Sequence, residues 1–491
     1  MVISKTNTEV SKILQLNDNK VILVSGNSFS VYDYISDSLV AQTTTIPANE
    51  SNSSCIKIQF PESVIIPETS ETSLNSVKSE DKSTPNLNND TEQTPKKKQK
   101  IGGSKGKDPK SSAKTDLSLF RIRDLSVSGV DAENNCQYVA LITENKQLYI
   151  YETENWTIVN HTENSKRCNS VRFDPTSKFV LVADKFGDAY RYPILKKPAE
   201  LKPELLLGHV SILTSMEFAT IYYLRIKKTT ETNEVVEDSI AHKEYKERTI
   251  ILTGDRDEKV RSSMYPNSYN IHSYCLGHTQ FVTAINVPKL ENSTKTLVIT
   301  GAGDGTAKLW DISSKLSEHN NSENYIDSSA LLQSINLSQI GSNFIDSSIS
   351  EIGILSIKSS KELVSIIVEG VPAIFLFKLQ VDQSGNNSKL ILLETFSTDS
   401  VKDSTQNDKV SNIPADIEFD SQNRLLVSYS VNSKVSPNSL LEVFEFDSES
   451  SKLVSCKSNI KFSNYIPPQV ETPVDPKSIF EWGRKSFDRN N

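Results

Sequence analysis

The chain lacks the features that would place it in a membrane or build it around a metal or disulfides. Its longest unbroken apolar run is about seven residues, 371–377, far short of the ~20 residues that cross a bilayer. The first residues carry no apolar core of a secretory signal peptide, so we expect neither a membrane span nor a leader. The five cysteines contain no Cys-x-x-Cys pair. This spacing predicts reduced thiols, with no zinc site and no disulfide framework.

Apolar residues are also scarce, and neither sign of charge dominates. They make up 36% of the 491 residues, and glycine raises the share only to roughly 39%, below the ~45–50% of compact globular chains. A large part of the sequence is therefore expected to be solvated loop or disordered. The 54 basic and 62 acidic side chains give a net charge of −8. This balance argues against a protein that coats nucleic acid over its whole surface, but it allows a local basic patch.

Residues 67–118 are poor in apolar side chains and contain no aromatics. Because such a segment cannot bury enough surface to offset chain entropy, it is predicted to be a disordered insertion. Its second half is basic, and a compact cluster there predicts a nuclear-import signal at Lys96, Lys97, Lys98 and Lys100. A phosphate-contacting arm and a solubilising spacer remain alternatives for this cluster. Residues 227–247 and 318–329 have the same polar character, and the tail at 463–491 is expected to be irregular.

The rest of the sequence is typical of short β-strands. Apolar runs of about five to eight residues alternate with Asn, Asp, Gly or Ser turns, and no long amphipathic helical pattern competes with them. Three consecutive stretches, 170–194, 206–266 and 275–312, repeat one plan of strand, Asp-containing turn and strand. In the third stretch, Gly-His at 277–278 precedes Trp-Asp at 310–311 by the spacing of a WD-repeat β-propeller blade.

Counted outward from these repeats, the strand clusters predict an all-β, seven-bladed β-propeller. The predicted blades are residues 10–66, 119–165, 168–207, 208–276, 277–340, 350–398 and 412–461. The predicted domains are a first blade region at 1–66, the disordered lysine-rich insertion at 67–118, the remaining blades at 119–462 and a C-terminal tail at 463–491. The pattern leaves open which terminal strand closes the ring.

The best repeat contains the polar residues that stabilise such a blade. A His before the first strand, a Ser or Thr on the second and an Asp in the next turn bond to a Trp indole N–H. The network satisfies polar groups that the packed sheets would otherwise leave without partners. The predicted structural tetrad is His278, Thr300, Asp304 and Trp310. In the preceding blade the spacing predicts His209, Thr253 and Asp257, with Ser263 in place of the Trp.

No set of residues has the spacing of a catalytic site. The six histidines show no metal-ligand spacing, and we find neither a Gly-x-Ser-x-Gly elbow nor a Cys–His pair. The glycine run at 301–305 is similar to a nucleotide or S-adenosylmethionine loop, but a strand follows it instead of a helix, which favours a propeller turn. We therefore expect an interaction platform that is not an enzyme and binds no cofactor or metal.

One turn differs from the others in its charge. The run Asp-Arg-Asp-Glu-Lys-Val-Arg at 255–261 is dense with both signs on an otherwise apolar blade. It is either a solvated blade edge or a docking surface whose side chains form salt bridges with a partner. Composition alone does not decide between the two.

The repeats around this charged turn resemble a known family. Residues 183–193, 206–216 and 251–285 are similar to the WD-repeat, non-catalytic subunit of fungal tRNA (guanine-N7) methyltransferase. The shared features are Arg-Asp-Glu-Lys, then Tyr-Pro, then Leu-Gly-His with Phe-Val, and the clear match covers about 170–311. The resemblance implies a heterodimer in which this chain binds and stabilises a separate catalytic subunit that uses S-adenosylmethionine. That enzyme forms 7-methylguanosine in the tRNA variable loop, and the complex is mainly nuclear, with the cytoplasm as a second location.

The resemblance also nominates partner-binding residues. Carried over by position, these are Arg256, Glu258, Lys259 and Arg261, with Asp184 and Lys185 in the matching turn of the previous blade. Asp257 is expected inside the blade turn. The cofactor would belong to the partner, and tRNA would be reached through the complex. Two other interpretations stay open: a propeller that binds RNA directly through the lysine-rich insertion, and a general scaffold for peptide ligands.

Overall fold

A computed structural model gives the structure of most of the predicted propeller. It describes residues 10–45, 56–59, 121–131, 135–195, 202–227, 242–291, 293–313, 315–316, 325–326, 329–344, 352–383, 387–398, 412–430, 440–456 and 462. The insertion at 67–118, with its predicted import cluster, and the tail at 463–491 lie outside the described residues. What the sequence predicts for them stays a prediction.

Antiparallel strands account for nearly all regular structure in the described residues. Blades 1 to 3 contain β1 (Lys12–Gln15), β2 (Lys20–Ser25), β3 (Ser28–Asp33), β4 (Ser38–Thr45), β5 (Ile56–Gln59), β6 (Ile122–Val127), β7 (Tyr138–Thr143), β8 (Gln147–Glu152), β9 (Ile158–Glu163), β10 (Cys168–Phe173), β11 (Phe179–Asp184), β12 (Asp188–Pro193) and β13 (Glu204–Gly208). Blades 4 and 5 contain β14 (Leu213–Lys227), β15 (His242–Asp255), β16 (Lys259–Met264), β17 (Ile271–Leu276), β18 (Val282–Asn286), β19 (Leu297–Ala302), β20 (Thr306–Asp311), β21 (Lys315–Leu316), β22 (Tyr325–Ile326) and β23 (Ala330–Asn336). Blades 6 and 7 contain β24 (Ile354–Ser360), β25 (Leu363–Val368), β26 (Ala373–Gln380), β27 (Lys389–Ser397), β28 (Ile413–Phe419), β29 (Leu425–Ser430), β30 (Leu441–Asp447) and β31 (Lys452–Ser455).

These strands form seven sheets of four or five strands, and the predicted seven-bladed, all-β propeller is confirmed. In each sheet the strands are hydrogen-bonded in chain order. Blade 5 departs from this only by a two-stranded ribbon, β21–β22, that is inserted before its last strand, β23. Each blade is therefore an antiparallel meander whose connections alternate between the two faces of the ring.

The second strand of a blade is its most apolar strand because neighbouring blades cover both of its faces. Leu297–Ala302 and Leu363–Val368 are buried at every position, as expected for strands inside stacked sheets. An outer strand such as Lys389–Ser397 leaves most of its side chains at least partly exposed. This gradient explains why the sequence contains continuous apolar runs in some strands and mixed patterns in others.

The first and last blades meet through side chains and not through a shared sheet. The backbone N–H of Ile13 on β1 donates to Asp416 Oδ2 on β28 (3.1 Å). Between these blades, Tyr32 and Leu426 belong to one buried cluster. None of the described strands joins the sheet β1–β5 to the sheet β28–β31. In the described part of the chain the ring is closed by packing and hydrogen bonds alone.

One strand begins earlier than the sequence analysis predicts. Residues 227–247 are predicted to form a polar loop, and β14 does end at Lys227, but β15 begins at His242. The two strands pair from Lys227 opposite His242 down to Leu213 opposite Asp255. Residues 242–247 contain one strand-favouring residue, Tyr245, and are otherwise charged or polar. Their strand structure follows from pairing with residues 222–227 of β14, which the sequence pattern does not show.

A single short helix occurs in the described part of the chain. This helix, α1 (Leu337–Ile340), follows β23 and is capped by Asn336, whose side chain accepts a hydrogen bond from Gln339 N–H (3.3 Å). Among the described residues, no helix has the length and apolar character needed to cross a membrane.

Candidate functional site

The structure brings the four residues of the predicted tetrad together in blade 5. Trp310 Nε1–H donates to Thr300 Oγ1 (2.8 Å). His278 Nε2 lies 2.8 Å from the same oxygen, and His278 Nδ1 lies 3.1 Å from Asp304 Oδ2. The side chains of His278, Thr300 and Trp310 are buried. The network therefore joins two strands, β19 and β20, to the turn between them and to the connection before β18.

The hydrogen bonds of this tetrad run in one direction. Because an indole N–H only donates, Thr300 Oγ1 accepts from Trp310 and gives its own proton to His278 Nε2. His278 Nδ1–H then donates to Asp304. Burial would raise the pKa of Asp304, but hydrogen bonds from His278 and Thr306 hold that pKa well below its usual range. All these polar groups are used within the blade, so the tetrad is structural.

Blade 4 contains a shorter network that corrects one prediction. His209 Nε2 lies 2.8 Å from Thr253 Oγ1, and His209 Nδ1 lies 2.9 Å from Asp255 Oδ2. The acid is thus Asp255 and not the predicted Asp257, which is half-buried in the turn. The reason is local: Asp255 ends β15 beside the histidine, where blade 5 has an alanine. Ser263 is buried at the Trp position.

The charged turn of blade 4 is anchored at its base. Asp255 Oδ1 accepts from Lys259 N–H (3.0 Å), which ties the two ends of the turn together. Arg256 N–H donates to Ile212 O (2.9 Å) in the connection before β14. Lys259 is exposed, whereas Arg256 and Glu258 are half-buried. The turn therefore presents charges of both signs on a backbone that is held in place.

The equivalent turn of blade 3 is built in the same way. Asp184 Oδ1 accepts from Phe186 N–H (2.8 Å) and from Asp188 N–H (3.0 Å). Lys185 is exposed, and Phe186 is 56% exposed. This turn presents a cation and an aromatic ring to solvent.

The two turns lie on one face of the ring and are joined by residues 209–212. His209 N–H donates to Gly187 O (2.8 Å), and the other end of this connection accepts the hydrogen bond from Arg256. Because both turns link the second and third strands of their blades, they occur on the same face. We call the surface formed by residues 185–187 and 256–259 the docking rim.

Two of the predicted partner-binding residues do not belong to the docking rim. Arg261 is 9% exposed, its Nη1 donates to Gly208 O (3.0 Å), and burial lowers its pKa. Asp184 is 2% exposed and is used within its own turn. Both side chains point into the blades and support the turns from below. Surface contact is therefore not retained for Arg261 and Asp184.

The docking rim also contains a residue that the sequence analysis missed. Phe186 lies between Lys185 and Gly187 in a turn, where polar residues are usual. An aromatic residue at the tip of a turn was the available signal.

The described residues hold no arrangement suited to catalysis by a metal or a thiol. They contain no group of three or more His, Cys, Asp and Glu side chains that could hold a metal ion. Cys168 and Cys275 are buried, and burial raises the pKa of each to about 12. Thiols with such pKa values are not nucleophilic near neutral pH. The docking rim is the site for which the geometry suggests a role.

Comparison with known proteins points to one family. The family model described as tRNA methyltransferase TRM82 WD40 domain matches residues 66–204 and 196–424. Two similar relatives are both named tRNA (guanine-N(7)-)-methyltransferase non-catalytic subunit. The one from Danio rerio is 28% identical over 298 residues, 59% of this chain and 56% of the relative. The one from Homo sapiens is 28% identical over 242 residues, 49% of this chain and 48% of the relative.

The chain thus spans about half the length of the curated relatives it matches. Among solved structures, that of U3-55K is similar with a TM-score of 0.47 and 11% sequence identity, covering 88% of this chain and 94% of that chain. The RRP9 WD40 repeats are similar with a TM-score of 0.46 and 12% identity, covering 88% and 92%.

Proposed function

The chain belongs to the family of the tRNA methyltransferase TRM82 WD40 domain, and we propose that it is the non-catalytic subunit of a tRNA (guanine-N7) methyltransferase. In this proposal it binds the catalytic subunit, which carries S-adenosylmethionine and forms 7-methylguanosine in the tRNA variable loop. The docking rim is the observation that carries the proposal. Both relatives described above are animal proteins, so the fungal origin expected from the sequence stays a prediction.

The docking rim suits a partner that must be held in one orientation. One anchored turn, in blade 4, carries Arg256, Asp257, Glu258 and Lys259. The equivalent turn of blade 3 carries Lys185. Mixed charges on a rigid surface favour a complementary partner and disfavour wrong ones, because like charges that meet across an interface repel. Since the turn is already ordered by Asp255 and by the loop before β14, little conformational freedom is lost on binding.

Binding of this kind activates an enzyme by shifting its conformational equilibrium. If the docking rim binds only the competent conformation of the catalytic subunit, activity rises by the difference in affinity between the two conformations. No group of this chain needs to touch the substrate for that effect. The relatives are named non-catalytic subunits. These names support a complex in which this chain binds and the partner subunit catalyses.

The proposal is tested by reversing one charge on the docking rim. Lys259→Glu should weaken binding of the co-expressed catalytic subunit by at least about 10-fold, because the substitution places a like charge against the carboxylates that Lys259 is expected to meet. Methylation of tRNA by the complex should fall with it. The measurements are co-purification yield, affinity of the purified subunits and 7-methylguanosine content by mass spectrometry.

Lys202→Glu is the matched control. Lys202 is exposed and lies in the connection between β12 and β13, on the opposite face of the ring. The control should bind and methylate as the unchanged protein does. If Lys259→Glu also binds and methylates at the unchanged level, the docking rim is not the partner site.

A nuclear location is the second part of the proposal. It is supported by the basic cluster around Lys96 in the sequence and by the expectation that the modification complex is mainly nuclear. The cluster would act as an import signal that is separate from the docking rim.

A further inference from the structure

Phe186 is an exposed aromatic ring on a backbone that cannot easily move. It is 56% exposed, yet its N–H is held by Asp184 Oδ1 (2.8 Å). The next residue, Gly187, has a φ of 100° and packs so closely against the carbonyls of His209 and Ser211 that a Cβ would lie within 2.5 Å of both. The turn is therefore fixed by contacts that no side chain larger than hydrogen at position 187 would allow.

Two lysines surround the Phe186 ring. Lys166 Nζ lies 4.5 Å from the ring centroid and Lys185 Nζ lies 5.4 Å from it. Both lysines are exposed. Contacts at these distances are attractive because the ring face is electron-rich. The result is an apolar surface with a cationic border.

A second apolar residue lies between the two turns of the docking rim. Val210, in the loop that joins the two turns, is fully exposed, and the same loop accepts the backbone hydrogen bond from Arg256. The apolar residues Phe186 and Val210 therefore lie beside the charged turn, on the same face. An interface usually has such an arrangement, with a few apolar anchors next to a polar border.

We propose that Phe186 is the apolar anchor of the docking rim and inserts into an apolar pocket bordered by carboxylates on the catalytic subunit. Lys166 and Lys185 would pair with those carboxylates. This inference rests on the proposed function, because it assigns the occupant of the surface to the same partner. Acidic residues are expected around the partner's pocket because two exposed lysines lie beside the Phe186 ring and would attract carboxylates.

Binding kinetics separate the two contributions. Phe186→Ala should weaken the complex by about 30-fold, the loss expected for a buried aromatic anchor, mainly through faster dissociation. Lys166→Glu with Lys185→Glu should mainly slow association and reduce its dependence on salt, since border charges steer encounter. Phe186→Leu should recover most of the affinity. The probe is the purified catalytic subunit, measured by surface-immobilised binding kinetics.

Two controls keep the result interpretable. Tyr269→Ala removes an aromatic ring that is 77% exposed, but in the connection between β16 and β17 on the opposite face, and it should leave binding unchanged. Thermal unfolding of Phe186→Ala should match that of the unchanged chain, because the ring contributes little to the core. An unchanged affinity for Phe186→Ala would overturn the inference.

The outcomes also distinguish this inference from the proposed function. If Lys259→Glu disrupts the complex and Phe186→Ala does not, the proposed function stands and the anchor is wrong. If the unchanged chain does not bind the catalytic subunit at all, the proposed function itself fails. If Phe186→Ala leaves the affinity between subunits intact but weakens tRNA binding by the assembled complex, the ring contacts RNA and the anchor is again wrong.

Discussion

Glu258 occupies, with a φ of 75°, the turn position that Gly187 occupies with a φ of 100° in the preceding blade. Each residue is the third after the aspartate that ends the second strand. Left-handed backbone costs a residue with a side chain roughly 1–3 kcal/mol. Glu258 therefore occupies, at a cost in stability, a turn position that is better suited to glycine.

Glu258→Gly should separate stability from function. We expect the free energy of unfolding to stay within about 1 kcal/mol of the unchanged value, because relief of strain offsets the greater freedom of glycine in the unfolded chain. Affinity for the catalytic subunit of the proposed complex should fall. Lys146, with a φ of 69° in the matching turn of blade 2, provides the control: Lys146→Gly should relieve the same strain and leave the affinity unchanged. Equal affinity of Glu258→Gly and the unchanged chain would count against the role.

The two histidine networks predict different consequences for the same kind of substitution. His209→Ala removes hydrogen bonds to Thr253 and Asp255, and His278→Ala removes those to Thr300, Asp304 and Thr306. Each substitution should therefore lower the free energy of unfolding by about 1–3 kcal/mol. Only His209 supports Asp255, which holds the charged turn. His209→Ala should therefore also reduce partner affinity, whereas His278→Ala should not. Denaturant unfolding and binding measured side by side test this, and a similar loss of affinity in both variants would contradict it.

The inner strands of blades 1 to 3 predict a dependence of stability on pH. Burial would raise the pKa of Asp124, but ion pairs with Lys12 on β1 (2.5 Å) and Arg172 on β10 (2.9 Å) outweigh it and hold that pKa well below its usual range. Because the pKa is lower in the folded than in the unfolded chain, Asp124 stabilises the fold above about pH 4 and loses this contribution as the pH falls.

Asp124→Asn should therefore lower the free energy of unfolding at neutral pH by about 3 kcal/mol, since it removes the carboxylate that Lys12 and Arg172 share and leaves Arg172 paired with Glu217. The variant should also lose less stability than the unchanged chain between roughly pH 4 and pH 2. Glu163→Gln, at an exposed position, is the control and should follow the unchanged profile. Parallel acid profiles for Asp124→Asn and the unchanged chain would show that the pair contributes nothing.

The buried cysteines predict slow reaction with thiol reagents. Burial raises the pKa of Cys136 to about 11, and that of Cys168 and Cys275 to about 12. At pH 8 these thiols should resist maleimide in the folded chain and react fully in denaturant, because both access and thiolate are lacking in the fold. Peptide mapping by mass spectrometry reads each site separately. Rapid labelling of Cys275 in the folded chain would contradict this prediction, because it would show that the thiol on β17 is accessible to the reagent.

The basic cluster around Lys96 is expected to affect where the protein is located in the cell but not how it binds its partner. If the cluster is the proposed import signal, changing Lys96, Lys97, Lys98 and Lys100 together to alanine should move a fluorescently tagged chain from the nucleus to the cytoplasm. Affinity for the proposed catalytic subunit should stay unchanged. Imaging and binding assays measure the two effects. A loss of tRNA binding with no change of location would instead favour a phosphate-contacting arm.

The comparison of blades 4 and 5 shows how far spacing predicts side-chain contacts. Asp257 and Asp304 have the same spacing from Thr253 and Thr300, yet only Asp304 bonds to its histidine. In blade 4 an earlier carboxylate, that of Asp255, is nearer the histidine and takes the bond. Residue type and spacing therefore identify the network, but where a blade offers two carboxylates only the structure shows which of them bonds to the histidine.

The sequence alone determined the class of fold, the seven blades and the tetrad, because each depends on strand patterns and spacings within a single repeat. It also identified the charged turn, since a dense run of charge is visible without coordinates. Only the tertiary structure decided that Arg261 is covered, that Phe186 is uncovered and that Ile13 meets Asp416 across 403 residues of chain. Burial and contact of this kind depend on which blades become neighbours, and no local pattern of residues contains that information.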